Sequence, residues 1–285
     1  MNKLNKIKIL LEKNYNFKGI NYIYFPKTNK ELKQLIKKLI KQYGYEVDLN
    51  NIDVSNINDF NSIFEFLEKF NGNVLKWDVS NGINFSRIFY HNRSFNPKVL
   101  NWDVSNGEYF LNMFFGCFNF NPNLSRWNVS NGIVFNGMLN DCFKFNSDLS
   151  QWNVSNGTNF SSLFLNCEQF KSDLSKWDVS KGITFAFMFD SCKKFKSDLS
   201  KWDVSNGKYF TGMFYECYRF NSDLSKWDVS NGIDFESMFY GCKSFNTNLS
   251  NWNVSNAKKW DNFAKNSLLE KYLERIPIKF RNDYL

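Results

Sequence analysis

Apolar positions along this chain return every 25 residues. Trp recurs at Trp77, Trp102, Trp127, Trp152, Trp177, Trp202, Trp227 and Trp252, each opening a W-[DN]-V-S-[NK] block. Three Phe columns keep the same step: Phe60 to Phe235, Phe64 to Phe239 with Leu139 standing in once, and Phe70 to Phe245. A degenerate first copy begins at Asp53-Val54-Ser55, and the last fades after Trp252-Asn253-Val254-Ser255. A fixed period held without an insertion is the signature of stacked repeats, each burying its apolar face against the next.

Two periodicities alternate within one copy. Phe160, Leu163, Phe164 and Cys167 stand at i, i+3, i+4 and i+7, which predicts one stripe of a short helix. Leu174, Trp177 and Val179 alternate with polar residues, and Lys176–Ser180 reads as a short strand with Trp and Val inward. The expected fold is therefore α/β: a leucine-rich-repeat-like solenoid with one strand and one helix per repeat and a parallel strand ladder. Strands spaced about 4.8 Å apart beside helices needing about 8–10 Å should bend the stack, strands inside.

An open solenoid exposes a slice of its core, so both ends need caps. Thr28-Asn29-Lys30-Glu31 is a capping box opening a helix with Leu32, Leu35, Ile36, Leu39, Ile40 and Tyr43 on one face, and Gly44 supplies the stop. Beyond the array, Trp260 takes the place of the Phe column and an apolar run reaches Leu273 before Pro277. The predicted organisation is a basic helical cap over 1–50, a solenoid of about eight repeats over 51–256, and a helical cap over 257–285.

Composition adds little chemistry to this picture. The 32 Phe are largely architecture, since the three columns hold 23 of them. Residues 1–50 carry +7 of the whole-chain +8, so the repeats are nearly neutral and lack the basic groove of a nucleic-acid binder. The N-terminal apolar run Ile7, Ile9, Leu10, Leu11 is broken by Lys8 and ended by Glu12, too short for a secretory signal. No apolar stretch is long enough to span a membrane. The six Cys, Cys117 to Cys242, fall in a single column, unlike a disulfide framework or a metal cluster, and are expected buried. The lone His91 is expected on a helix surface, without a catalytic role. No catalytic residues, metal site or cofactor are expected, and the recurrent Gly reads as a turn residue.

The block W-[DN]-V-S-N, the aromatic pattern Phe-x-x-Met-Phe-x-x-Cys, and Phe220-Asn221-Ser222-Asp223-Leu224-Ser225 resemble BspA-type leucine-rich-repeat surface proteins. Similar 25-residue repeats occur in mycoplasma lipoprotein-associated domains of unknown function. The resemblance implies a cell-surface location and adhesion, whereas the sequence without a recognisable signal reads as cytoplasmic. The leading expectation is a non-enzymatic scaffold, monomeric, that binds a protein or glycan on its strand-lined face. That face is expected to comprise Lys76, Asp78, Asp103, Arg126, Gln151, Lys176, Asp178, Lys201, Asp203, Lys226 and Asp228. The alternative is a structural spacer that binds partners through its ends.

Overall fold

A computed structural model describes residues 16–17, 20–98 and 100–284. The broken apolar run Ile7–Leu11 lies outside the described residues. Strand β1 (Asn16–Phe17) pairs antiparallel with β2 (Ile20–Asn21). Helix α1 (Asn29–Tyr43) follows, with the Thr28 hydroxyl accepting the Glu31 N–H at 3.2 Å and the Gly44 N–H closing onto the Ile40 carbonyl. It buries Leu32, Ile36, Leu39 and Ile40. Asn29 Nδ2 donates to the carbonyls of Asp59 and Asn61 at 3.0 and 2.9 Å, so the start of α1 covers backbone acceptors of the first copy.

The helix expected in each repeat is absent from the described repeats, and a chain of tight turns replaces it. In the copy at 160–167, alternate N–H groups bond within the copy and to the next one. Leu163, Leu165 and Cys167 donate to the carbonyl three residues back, at 3.2, 3.2 and 2.9 Å. Phe160, Ser162, Phe164 and Asn166 donate forward, to the carbonyls of Thr184, Ala186, Met188 and Asp190 at 2.8–3.0 Å. Ser162 and Asn166 adopt left-handed φ of 55° and 61°, which no α-helix accommodates. The reason is the spacing of the stack. Helices side by side need about 8–10 Å, whereas bridged backbones sit about 4.8 Å apart, so a coil of turns is the local solution that keeps every copy in register.

The strand expected at Lys176–Ser180 is also replaced by turns, with the Trp177 N–H closing onto the Leu174 carbonyl at 3.0 Å. Parallel bridges occur elsewhere, once per copy, in the column Asp59, Asn84, Tyr109, Val134, Asn159, Thr184, Tyr209, Asp234 and Lys259. This column lies one residue before the first Phe column. Trp and Val of the W-x-V block are buried, and Trp177 Nε1 donates to the Leu149 carbonyl, 28 residues back, at 2.9 Å.

Aromatic rings stack copy upon copy. Centroids in the column beginning Phe60 and Phe85 are 5.3–5.7 Å apart. In the Trp column they are 6.1–6.5 Å apart. Copies related by pure translation would show one spacing in every column. The widening from the Phe to the Trp side means that successive copies rotate, with the bridge column on the inner side of the bend.

The array ends in three short 3-10 helices, Leu269–Lys271, Leu273–Arg275 and Ile278–Tyr284, rather than in a continuous helix. They carry Phe280 back over the last copy, where its buried ring meets Trp260, Phe263 and Phe235 at 5.3, 5.0 and 5.5 Å. Polar groups at this end imitate a further repeat. Asn231 and Asn256 donate to the Ser205 and Ser230 carbonyls; after Ser255 it is Lys279 Nζ that donates, at 3.0 Å. The N–H groups of Ala264 and Asn266, which in earlier copies point to a following carbonyl, find the Tyr284 hydroxyl and the Glu270 carboxylate. No helix among the described residues is long and apolar enough to cross a membrane.

Candidate functional site

Lys76, Arg126, Gln151, Lys176, Lys201 and Lys226 are exposed, as their polar surroundings in the sequence suggest. The structure groups them with a different Asp column from the expected one. Lys176 and Lys201 join Lys171 and Lys196 around Asp173 and Asp198, in a hollow of about 520 Å³. The next hollow places Lys201 and Lys226 beside Asp198 and Asp223, and the one before it places Gln151 and Lys176 beside Asp148 and Asp173. Arg126 shares a hollow with a predicted aspartate, Asp103. The D-L-S-[KQ]-W string carried the signal for these second aspartates, three residues before each Lys or Gln.

Asp78, Asp103, Asp178, Asp203 and Asp228 hold their own turns. Each carboxylate accepts the N–H of the Ser two residues on, at 3.0–3.2 Å. Bonding to Ser180 and Ser230 holds the Asp178 and Asp228 carboxyls below the usual range. The second column is tied down too. Ser172 Oγ accepts the Leu149 N–H at 2.8 Å and donates to Asp148 at 3.2 Å, and Ser197 does the same between Leu174 and Asp173. Backbone bonding from Ser175 and Ser200 lowers the Asp173 and Asp198 carboxyls. Between residues 148 and 228 this face carries Lys171, Lys176, Lys181, Lys196, Lys201 and Lys226 against seven aspartates in the two columns. Its charges cancel, and its carboxylates serve the backbone.

The face that sequence reasoning missed lies along the bridge column. Its residues differ from copy to copy: Asp59, Asn84, Tyr109, Val134, Asn159, Thr184, Tyr209, Asp234 and Lys259. Tyr109 and Tyr209 are 41% and 43% exposed, and Ile183 beside Tyr209 is 42% exposed. By contrast, all eight Trp of the column at 77–252 are identical and buried. Irregularity inside a strict repeat was the available signal.

The six thiols are buried, and each Sγ donates to a backbone carbonyl 28 residues back at 2.8–3.2 Å, as Cys167 does to Leu139. Burial raises their pKa values, so they are donors and packing groups rather than thiolates. His91 sits on a turn, not on a helix surface. Its ring stacks on Phe66 at 5.7 Å and lies over Gly116, where a Cβ would come within 2.9 Å of Nδ1. Among the described residues no three His, Cys, Asp or Glu side chains converge as a metal-binding group.

Three overlapping segments, residues 30–132, 101–198 and 183–274, match the family described as Mycoplasma protein of unknown function, DUF285. No curated protein matches the chain.

Proposed function

The chain belongs to the DUF285 family, and from that premise we propose that it is a non-enzymatic binding scaffold, a solenoid of the BspA-like leucine-rich-repeat kind. Its working surface is the inner, bridge-column face. One observation carries this reading: the repeats are interchangeable in their core, and differ in size and polarity where Tyr109, Val134, Asn159, Thr184 and Tyr209 point outward. A repeat protein reads a ligand with the outward positions of an extended concave surface while the core sets only the stack. The neutral, turn-bonded face around Lys176, Lys201 and Lys226 is the secondary surface. Covered polar groups at both ends favour binding through a face over a spacer that binds through its ends.

Immobilised protein probed with matrix-protein and glycan panels tests the assignment. Binding should fall with Tyr109→Ala and Tyr209→Ala and persist when Lys176, Lys201 and Lys226 are changed to Glu. The reverse pattern would move the working surface to the lysine face.

A further inference from the structure

The inner face has a chemical character that narrows its ligand. Four outward positions per copy flank the first Phe column, those equivalent to Ile183, Thr184, Ala186 and Phe187. From Tyr109 to Phe187 these columns supply 15 residues, and none is charged, although 22% of the chain is. A random set of that size would hold about three charges at that frequency. Glu108 and Lys208 stand at the two ends of the uncharged stretch. Its middle is small and polar. Ser161 Oγ and Thr184 Oγ1 bond across two copies at 2.7 Å, and Thr158 Oγ1 reaches the Ile133 carbonyl at 3.4 Å. Asn159 Oδ1 accepts the Ser161 N–H at 3.0 Å, which leaves the Asn159 amide donors for a ligand. The two exposed tyrosines bracket this floor four copies apart, about 19 Å at about 4.8 Å per step.

Resting on the scaffold reading above, we infer that this face binds a neutral oligosaccharide chain laid along the stack between Tyr109 and Tyr209. Along these columns an acidic or basic polymer would meet charge at the two ends, Glu108 beside Tyr109 and Lys208 beside Tyr209, and none between them, so the middle of the face favours an uncharged ligand. Strand addition by a peptide is closed, since the backbone N–H groups of this face, such as those of Phe160 and Ser162, are already given to the following copy. Recognition therefore falls to side chains. A sugar ring offers an apolar face for a tyrosine and a rim of hydroxyls for amide and hydroxyl partners, which is the mixture on this floor.

Calorimetry with short neutral oligosaccharides of hexose and N-acetylhexosamine, with sulfated and sialylated forms and an uncharged extended peptide in parallel, tests the inference. The neutral glycans should bind, and Tyr109→Ala or Tyr209→Ala should weaken them about tenfold, about 1.4 kcal/mol. The Lys176→Glu, Lys201→Glu, Lys226→Glu variant should bind as the parent does. Thermal melting checks that the tyrosine variants stay folded. Charged glycans binding better than neutral ones, or binding that survives both tyrosine changes, overturns the inference. A protein ligand lost with the tyrosines, in the absence of glycan binding, overturns the glycan assignment and leaves the scaffold standing. If no ligand depends on the tyrosines, both readings fall.

Discussion

Gly157→Ala tests how the repeat is locked. Gly157 does not occupy the left-handed region, so the backbone would accept Ala without strain. Space forbids it instead: an added Cβ would lie 2.3 Å from Phe160 Cζ, 2.9 Å from Cε1 and 3.0 Å from the Val154 carbonyl oxygen. Phe160 has nowhere to retreat. It is fully buried, with Phe135 and Phe185 each 5.7 Å away in its column. Overpacking of this kind costs about 1–3 kcal/mol, against about 0.4–1 kcal/mol gained from a stiffer unfolded chain. The net expectation is a loss of about 1–2 kcal/mol, read as a melting point lower by roughly 2–4 °C per kcal/mol. Shortening the ring in the double variant Gly157→Ala, Phe160→Leu should relieve the clash, so the two changes should cost less together than the sum of each alone. The chain supplies its own comparison, since Ala257 takes the Gly position where the aromatic three residues on is the half-buried Trp260, stacked on Phe280 at 5.3 Å. A single variant as stable as the parent, or strict additivity in the cycle, would refute the steric account.

Three further outcomes follow from the same packing. Cys167→Val keeps the volume but removes the donor to the buried Leu139 carbonyl, and should cost about 1–3 kcal/mol in chemical denaturation. Burial raises the Asp190 carboxyl to about 6, with Glu216 nearby adding to the rise and a bond from Ser191 opposing it. Its contribution is most favourable below the unfolded value of 3.8 and is lost as pH rises through about 6. A fully dry group would lose about 3 kcal/mol. Asp190 is only half-buried, so the expected loss is about 1–2 kcal/mol, and Asp190→Asn should flatten stability against pH between 4 and 7 by that amount. Lys279→Met should leave the carbonyls of Ser255 and Ala257 without their donor, and Val254 with the Ala257 N–H alone, and hydrogen exchange should show the last copy opening before the middle ones.

The repeat and its apolar columns were legible because burial acts on each copy alike: Phe160, Phe164, Cys167 and Trp177 are all inside. The conformation between them was not. An i, i+3, i+4, i+7 stripe is produced as readily by chained turns as by a helix, and Phe160, Leu163 and Phe164 satisfy both. What separates the two is where the intervening N–H groups go, and the partners of Phe160 and Ser162 lie 24 residues ahead. Local pattern carries no trace of that choice. The inner face was hidden for the same reason: Lys176 and Val179 alternate like a strand, while the bridges form at Asn159 and Thr184, whose neighbours show no alternation. The aspartates after Trp need no ligand to explain them, since the Asp178 and Asp203 carboxylates are spent on the Ser180 and Ser205 N–H groups of their own turns.

The covered last copy also bears on what the molecule does in company. A backbone that hands each copy's N–H groups to the next is, at an open end, a template on which any extended chain could continue, as growing fibrils do. Here the Tyr284 hydroxyl and the Glu270 carboxylate already hold the N–H groups of Ala264 and Asn266, and Phe280 lies over the aromatic stack. The turns over 269–284 thus cover the edge on which such growth would start.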